Sequence, residues 1–196
     1  FSGKTTLFCA LTGLDYEAIG HGRDVHVGTV RVPDERLEKL YDMIKPKKIT
    51  HAVMEFFDIA GQSGGSDMKI EPKSLLALKN AESLIVVLDA FNDGADPRKD
   101  FDTLMDEFVF NDLLVVTNRL ERMEKDLRSG KRDDLLRERD VLVSCREMLE
   151  TGTSLRGREF EPDEEKILRG FQLITLKPLL IVANIGEGDL LADADA

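Results

Sequence analysis

The stretch GKTTLFCALTG, residues 3–13, decides the fold, because it joins a phosphate-binding signature to the start of a helix. Gly3-Lys4-Thr5 matches the second half of the phosphate-binding loop G-x-x-x-x-G-K-[ST]. In that loop backbone N–H groups point at the phosphates, the lysine bridges their outer oxygens, and the threonine hydroxyl binds Mg²⁺. Leu7 and Leu11 then give residues 4–12 the apolar spacing of an amphipathic helix. We therefore predict a phosphate site at Ser2, Gly3, Lys4, Thr5 and Thr6.

The tripeptide alone is a weak signal, and a plain helix N-terminus is the alternative interpretation of the same residues. The first glycine of the loop and the strand before it are expected upstream of Phe1. The choice between the two interpretations depends on whether the other parts of a nucleotide site follow at suitable places in the chain.

A second motif, Asp58-Ile59-Ala60-Gly61-Gln62, closes an apolar segment over residues 52–60. Asp58 is predicted to hold magnesium through its water shell, and the N–H of Gly61 to contact a γ-phosphate oxygen. Gln62 either orients the attacking water or is a neutral polar substitution in a loop. Both interpretations stay open. The candidate catalytic residues are therefore Lys4, Gly61 and Gln62. In isolation the motif is common, and a cap on a strand-to-loop turn is the alternative role of Asp58.

A third motif ends the apolar segment PLLIVAN, residues 178–184, at the place where GTPases carry N-K-x-D. Asn184 matches the asparagine, but Ile185 replaces the lysine and Glu187 replaces the aspartate. The longer carboxylate cannot grip guanine in the same pose, and no lysine stem covers the base. Asn184 and Glu187 therefore predict a site for a nucleotide base that is not a good guanine site. An Asn/Gly turn after a strand is the alternative.

The three motifs follow one another at the C-terminal ends of predicted strands, where open parallel sheets bind ligands. The predicted strands are residues 25–32, 52–60, 83–91 and 178–184, and the predicted helices are residues 4–12, 33–44 and 72–81. The last two strands are continuously hydrophobic, as in strands buried on both faces of a parallel sheet. The alternation of strand and helix predicts an α/β fold with a right-handed, doubly wound, mostly parallel sheet. Together with the three motifs, this predicts a P-loop NTPase.

Residues 97–170 break this rhythm, because they contain no convincing strand. Apolar residues recur there at spacings of three and four in two runs, which are Leu113, Val116, Leu120, Met123 and Leu127, and then Leu135, Leu142, Cys145 and Leu149. This pattern predicts an antiparallel helical hairpin with a coiled-coil-like seam, and two ordinary helices lying on the sheet are the alternative. The predicted domains are a nucleotide-binding part at 1–96, the hairpin insertion at 97–170 and a base-recognition part at 171–196.

The composition limits the possible partners. With 27 basic and 38 acidic residues the formal net charge is −11, which argues against electrostatically driven binding of the chain as a whole to DNA, other nucleic acids or anionic lipid. A local basic face is compatible with this charge. Cys9 and Cys145 lack CxxC spacing, and His21, His26 and His51 lack the spacing of a transition-metal site. No apolar run approaches the roughly 18 residues of a membrane span. The expected location is therefore the cytoplasm.

Several segments resemble the YchF/Obg-like ATPase family of P-loop proteins, and the resemblance covers nearly the whole chain. The most specific are VPDERLEKL (32–40), KPKKI (45–49) and KPLLIVANIGE (177–187). The resemblance implies a Ras-like nucleotide-binding domain with a coiled-coil insertion, followed by a TGS-type domain that would lie beyond Ala196. It also implies that Asn184 and Glu187 stand for the family's NxxE, which goes with ATP preferred over GTP. The ribosome is the implied partner.

The chain departs from this family at two places. Gln62 stands where family members usually carry a hydrophobic residue. A glutamine at this place can orient the attacking water, which a hydrophobic residue cannot do. The threonine expected shortly before the Val27-Gly28 pair falls near Gly22, and this weakens the case for tight γ-phosphate sensing.

The leading hypothesis is a nucleoside triphosphatase that hydrolyses ATP, or GTP, slowly with magnesium and acts as a ribosome-associated switch. One alternative is a nucleotide-gated binding module with little or no hydrolysis, which the missing threonine motivates. Weaker alternatives are a GTP-preferring Obg-type GTPase and a P-loop kinase that phosphorylates a small molecule. The placement of the DxxG and NxxE motifs argues against the kinase.

Overall fold

The computed structural model describes residues 2–19, 25–59, 70–128, 133–187 and 189 of the chain. These residues form two compact units. The first unit runs from Gly3 to Ile59, and the second contains Ser2 and the described residues from Ile70 onward. Each unit has its own pair of strands and its own helices.

The described part of the first unit contains three helices and two strands. They are α1 at Lys4–Thr12, α2 at Tyr16–Ile19, β1 at His26–Arg31, α3 at Glu35–Ile44 and β2 at Val53–Asp58. Helix α1 begins after Gly3, whose φ of 85° lies in the left-handed region that glycine adopts without steric cost. Helix α3 begins after Asp34, whose carboxylate accepts a hydrogen bond from the N–H of Arg36 and so caps the helix.

Strands β1 and β2 pair antiparallel, and His26 lies directly opposite Asp58. Gly28 of β1 is buried. A Cβ atom at this position would collide with the side chain of Thr12 in α1 and lie 3.0 Å from Cζ of Phe8. The absence of a side chain therefore lets β1 approach α1 closely. Because side chains alternate along a strand, the face that carries Gly28 also carries His26 and Asp58.

The second unit contains a parallel strand pair and the longer helices. Its elements are α4 at Pro72–Asn80, β3 at Leu84–Asp89, α5 at Pro97–Arg128, α6 at Asp133–Glu150, α7 at Pro162–Leu168 and β4 at Leu179–Asn184. Strands β3 and β4 pair in parallel, with Leu84 opposite Leu179 and Asp89 opposite Asn184. A short 3₁₀ turn at Ile174–Leu176 precedes β4. Helices α5, α6 and α7 lie in the connection between the two strands, since a parallel pair needs a long crossover.

Helices α5 and α6 form a hairpin. Because residues 129–132 alone separate them, the two helices run in opposite directions. Their seam is the larger hydrophobic core of the unit, and its completely buried members include Val116, Met123, Leu142 and Cys145. Arg119 of α5 and Glu138 of α6 add a bidentate ion pair with distances of 2.7 and 3.0 Å. No helix in the described ranges, α5 included, combines the length and the apolar character needed to cross a membrane.

The α/β class and the helical pair within residues 97–170 are confirmed. Of the two strand pairs described, one is parallel and one is antiparallel. Helix α7 was not predicted, although Pro162 in its first turn, followed by acidic residues, is a typical helix start. The division into domains at 1–96, 97–170 and 171–196 stays a prediction.

The prediction that the two apolar strands are buried on both faces is wrong for both strands, since Ile85, on the face of β3 opposite to Leu84, is 37% exposed. Leu84 and Val86 of β3 are buried, but Leu180 and Ile181 of β4 are 58% and 49% exposed. These two neighbours point to opposite faces, so β4 is incompletely covered on both. The reason is that the hydrophobic core around Phe108 packs against Leu84, at the beginning of the strand pair.

Candidate functional site

The first turn of α1 and the last residue of β2 bring Lys4, Thr5 and Asp58 together. The Thr5 hydroxyl donates a hydrogen bond to Oδ2 of Asp58 at 2.8 Å. The Lys4 ammonium lies 3.6 Å from the other carboxylate oxygen, Oδ1. These two contacts join residues more than 50 positions apart in sequence into one charged cluster at the edge of the sheet. The Asp58 side chain within this cluster is only 5% exposed.

The backbone at the start of α1 adds donors to this cluster. The N–H of Leu7 donates to the carbonyl oxygen of Gly3 at 3.0 Å, which closes the first turn of the helix. The N–H groups of a first turn lack partners within their own helix and carry the positive end of the helix dipole. Thr6 is exposed on this turn. Backbone donors, an ammonium group and a hydroxyl therefore converge at one helix end, which is the combination that binds phosphate.

The oxygen atoms of the cluster fit a hydrated magnesium ion. Mg²⁺ prefers oxygen ligands and retains several of its waters when it binds to protein. Thr5 offers a hydroxyl oxygen and Asp58 offers a carboxylate. Oδ1 of Asp58 is buried and accepts no hydrogen bond from the described residues. The Lys4 ammonium balances its charge from 3.6 Å, but a donor or a cation at bonding distance is still needed to satisfy this buried oxygen.

Asn184 and Glu187 lie in the second unit, at the end of β4 and just after it. Nδ2 of Asn184 donates a hydrogen bond to the carbonyl oxygen of Ser2 at 3.1 Å. The N–H of Asp189 donates to the carbonyl oxygen of Gly186 at 3.0 Å, so the chain turns directly after the strand. The Glu187 side chain is exposed, which leaves its carboxylate accessible to a ligand.

The segment that leads into β4 is anchored by a buried carboxylate. Asp112 of α5 is 0% exposed. Its Oδ1 accepts the N–H of Ile174 at 2.9 Å, and its Oδ2 accepts the N–H and the hydroxyl of Thr175, both at 2.7 Å. Burial raises the pKa of the Asp112 carboxyl above its ordinary value, although the three hydrogen bonds act in the opposite direction. Asp112 thus fixes the turn that precedes the strand carrying Asn184.

Lys177 ties the same segment to α4. Its ammonium donates to the carbonyl oxygens of Leu78 at 2.9 Å and Lys79 at 2.6 Å, and also to that of Ala81. The last carbonyl groups of a helix lack partners within it and carry the negative end of its dipole, so a cation is favourable there. Burial lowers the pKa of Lys177. Arg156 donates to the carbonyl oxygen of Lys177, so contacts from several elements hold this segment.

Some predicted residues cannot be placed, and some contacts were not predicted. Gly61 and Gln62 lie outside the described residues. The same is true of Gly22, near which the threonine before the Val27-Gly28 pair was expected. Asp112 and Lys177 were not singled out from the sequence. Their signals were an acidic residue within the apolar run of α5 and a lysine directly before the proline that precedes β4.

Known proteins are similar in sequence to this chain along nearly its whole length. The chain is 32% identical over 201 residues to the ribosome-binding ATPase YchF of Bacillus subtilis, covering 96% of this chain and 55% of that protein. It is 31% identical over 205 residues to the ribosome-binding ATPase YchF of Mycoplasma genitalium, covering 96% of this chain and 54% of that protein. The chain belongs to the YchF family. No family model matches the sequence.

The fold of this YchF-family chain agrees with the family that its sequence indicates. The structure of the Schizosaccharomyces pombe YchF GTPase superposes with a TM-score of 0.77 at 25% identity, covering 97% of this chain and 55% of that one. The resemblance stated from the sequence and the P-loop α/β fold class are thereby confirmed. The chain spans about half the length of the curated YchF relatives it matches.

Proposed function

We propose that this YchF-family chain binds ATP together with magnesium and hydrolyses it slowly. The observation that carries the proposal is the 2.8 Å hydrogen bond between the Thr5 hydroxyl and the buried Asp58, beside the Lys4 ammonium. These are the three side chains that a phosphate and magnesium site of the P-loop type requires. The relatives' names support the activity, since those of B. subtilis and M. genitalium are called ATPases and that of S. pombe a GTPase.

In this proposal each residue of the cluster has a separate task. Lys4 and the backbone N–H groups of residues 2–6 hold phosphate oxygens, while Thr5 and Asp58 hold the magnesium ion. Bound magnesium neutralises the charge that develops on the β- and γ-phosphate oxygens. The N–H of Gly61 contacts the γ-phosphate, and Gln62 orients the attacking water. The protein contributes positioning and electrostatics, because phosphoryl transfer to water needs little covalent chemistry from it.

We further propose that Asn184 and Glu187 face the base and favour ATP over GTP. A glutamate in place of the usual aspartate is poorly placed to accept from both N1–H and N2–H₂ of guanine. GTP is the second candidate nucleotide, which the name of the S. pombe relative favours. The proposed partner is the ribosome, with the α5–α6 hairpin as the contacting arm, because two relatives are named as ribosome-binding. A ribosomal partner would place the protein in the cytoplasm.

Single-turnover hydrolysis of labelled ATP tests the activity and the role of Gln62. We expect the parent chain to turn over at about 10⁻⁴ to 10⁻² per second, as P-loop sites do without an activator. Gln62→Ala should lower this rate by about tenfold or more, because the attacking water is no longer positioned. Ser63→Ala, at the next residue of the chain, is the matched control and should hydrolyse ATP at the parental rate.

The other outcomes of this assay separate the alternatives. An unchanged rate in Gln62→Ala would remove that residue from the mechanism. Tight ATP binding with no turnover in the parent chain would favour the nucleotide-gated binding module. Faster turnover of GTP than of ATP would favour the Obg-type GTPase, and phosphate transfer to a small molecule in place of water would favour the kinase.

Replacing Glu187 tests the choice of base. Glu187→Ala should reduce the preference for ATP over GTP by about fivefold, because an accessible acceptor beside the end of β4 is lost. The measurement is calorimetric titration with non-hydrolysable analogues of both nucleotides. Glu165→Ala removes another exposed carboxylate, on α7, and should leave the preference unchanged. Equal affinities for the two nucleotides in the parent chain, unaltered in Glu187→Ala, would refute the base-site assignment.

A further inference from the structure

Strand β1 places a histidine beside the cluster of Lys4, Thr5 and Asp58, and the roles given above do not include it. His26 is the first residue of β1 and lies directly opposite Asp58, the last residue of β2. The Cβ atoms of directly opposite residues in an antiparallel pair are about 4.5–5.5 Å apart, and their side chains share a face. The imidazole and the carboxylate therefore project from the same face of the strand pair, at directly opposite positions.

The shared face is the one that α1 covers. Burial alternates along β1, with His26 half-buried and Gly28 buried, whereas Val27 and Thr29 are exposed. The close approach of Gly28 to Thr12 shows that this buried row lies under α1. The same helix supplies the ammonium and hydroxyl groups of the cluster from its first turn. His26 thus lies on the phosphate-facing side of the strand pair and not on its outer surface.

Two buried polar atoms on this face have no hydrogen-bond partner among the described residues. They are Nε2 of His26 and Oδ1 of Asp58. One further side-chain atom in the described part of the chain shares this condition, Nε of Arg146 in the other unit. Buried polar groups are normally hydrogen-bonded, so two such atoms on neighbouring residues indicate a place that a polar ligand or water completes.

The chemistry of the two atoms selects the group that fits between them. An ionised carboxylate oxygen only accepts hydrogen bonds, whereas Nε2 of a neutral imidazole accepts or donates according to its tautomer. A phosphate oxygen cannot satisfy Oδ1 of Asp58, because both are acceptors. A water molecule can, since it donates one hydrogen to Oδ1 and the other to Nε2 of the imidazole tautomer that carries its proton on Nδ1.

We infer that His26 is a further residue of the magnesium site, where its Nε2 and Oδ1 of Asp58 together hold one water of the hydrated ion. His26 is then a positioning residue, because it acts on the ion through that water. The inference rests on the proposed nucleotide function of Lys4, Thr5 and Asp58. Through His26, strand β1 takes part in binding the nucleotide–magnesium complex. This role does not depend on the threonine that family members carry near the position of Gly22.

The magnesium dependence of nucleotide affinity tests this inference without measuring turnover. Binding of a non-hydrolysable ATP analogue to the full chain is measured by calorimetry at saturating magnesium and again in EDTA. His26→Phe keeps a ring and removes both nitrogens. We expect its affinity with magnesium to fall about fivefold, while its affinity in EDTA stays within about twofold of the parent value. His26→Gln should recover most of the loss, because its amide can also hold a water.

Two further variants make the result specific. His51→Phe changes a histidine that lies outside both strands of the pair, and it should leave both affinities unchanged. Lys4→Ala should weaken binding with magnesium and in EDTA alike, because it removes a direct phosphate contact. The comparison separates loss of the metal's water from loss of phosphate binding.

The possible outcomes distinguish this inference from the function on which it rests. Parental magnesium dependence in His26→Phe would overturn the inference and leave the proposed function intact. Equal losses with magnesium and in EDTA would overturn it too, because His26 would then support the phosphates or the fold. A parent chain that binds no nucleotide would refute both the inference about His26 and the proposed function. If His26→Phe does not fold, as judged by its thermal melt, His26→Leu carries the same expectations.

Discussion

Replacing Lys4 with alanine should weaken ATP binding by roughly 10- to 100-fold, which is the largest functional effect we expect from one side chain. The Lys4 ammonium lies at the N-terminus of α1, 3.6 Å from Asp58, and supplies the positive side-chain charge of the cluster. A hydrogen bond between charged groups loses its full contribution when one partner is removed. Calorimetric titration measures the affinity directly. The thermal stabilisation by ATP should fall in parallel, because it depends on the ratio of ligand concentration to Kd.

Controls separate phosphate binding from damage to the cluster. Lys39→Ala removes an exposed lysine of α3 and should bind ATP as the parent does. Lys4→Arg keeps the charge but replaces a compact ammonium with a planar guanidinium, so an intermediate affinity is expected. Because Lys4→Ala also leaves the buried Asp58 without its cationic neighbour, the ligand-free thermal midpoint of each variant is measured first. Parental ATP affinity in Lys4→Ala would show that this lysine does not bind phosphate.

Asp112→Asn should lower the free energy of unfolding by about 3 kcal/mol, the largest stability loss we expect. Three donors converge on the Asp112 carboxylate, namely the N–H of Ile174 and the N–H and hydroxyl of Thr175. An asparagine offers one acceptor oxygen and turns an NH₂ group towards donors, so buried donors lose their partners. For a chain of this length the thermal midpoint should fall by about 6–12 °C. Urea denaturation and thermal melts provide the measurement.

Asp106→Asn is the matched control, because this residue is an exposed acid on the same helix. Its free energy of unfolding should change by less than about 0.5 kcal/mol. If Asp112→Asn were as stable as Asp106→Asn, the three hydrogen bonds would not contribute to stability.

The contribution of Asp112 should also depend on pH with a definite sign. Its pKa in the folded chain is raised above the ordinary 3.8, chiefly by burial, so the folded state binds this proton more tightly than the unfolded state does. The stability from this group is therefore fully present below pH 3.8 and is lost as the pH rises through the folded-state pKa. The difference in unfolding free energy between the parent and Asp112→Asn should narrow across that window.

The motif residues of the site were predictable because their chemistry fixes their positions along the chain. A phosphate loop needs its lysine and threonine at a helix start, and Asp58 needs to end a strand, so Lys4, Thr5 and Asp58 could be named together. The hairpin was predictable for a different reason. Apolar residues recur at spacings of three and four over two long runs, and this periodicity reports a buried helix face directly.

Asp112 could not be predicted, although it lies three residues after Val109 and four before Val116, on the buried stripe of α5. A single acid in such a stripe resembles an interruption of the pattern. Its partners lie 62 and 63 positions later in the chain, at Ile174 and Thr175, and local spacing contains no information about contacts at that distance. The exposure of β4 was wrongly predicted for a related reason, since hydrophobicity does not say which elements cover a strand.

The pairing register of β1 and β2 was also beyond the sequence. The apolar pattern located both strands, but the residues that face one another depend on how the strands pair. His26 therefore had no visible relation to Asp58, which lies 32 positions later and directly opposite. The histidine becomes informative once that register is known.

The Asp112 contact has a mechanical consequence. Helix α5 continues for 16 residues beyond it to Arg128, which corresponds to about 24 Å of helix. The carboxylate therefore joins the helical hairpin on one side to the turn before β4 on the other. A tilt of about 5° about this point moves the end of α5 by roughly 2 Å. We expect a load on the tip of the hairpin to reach the strand that ends in Asn184 through this contact.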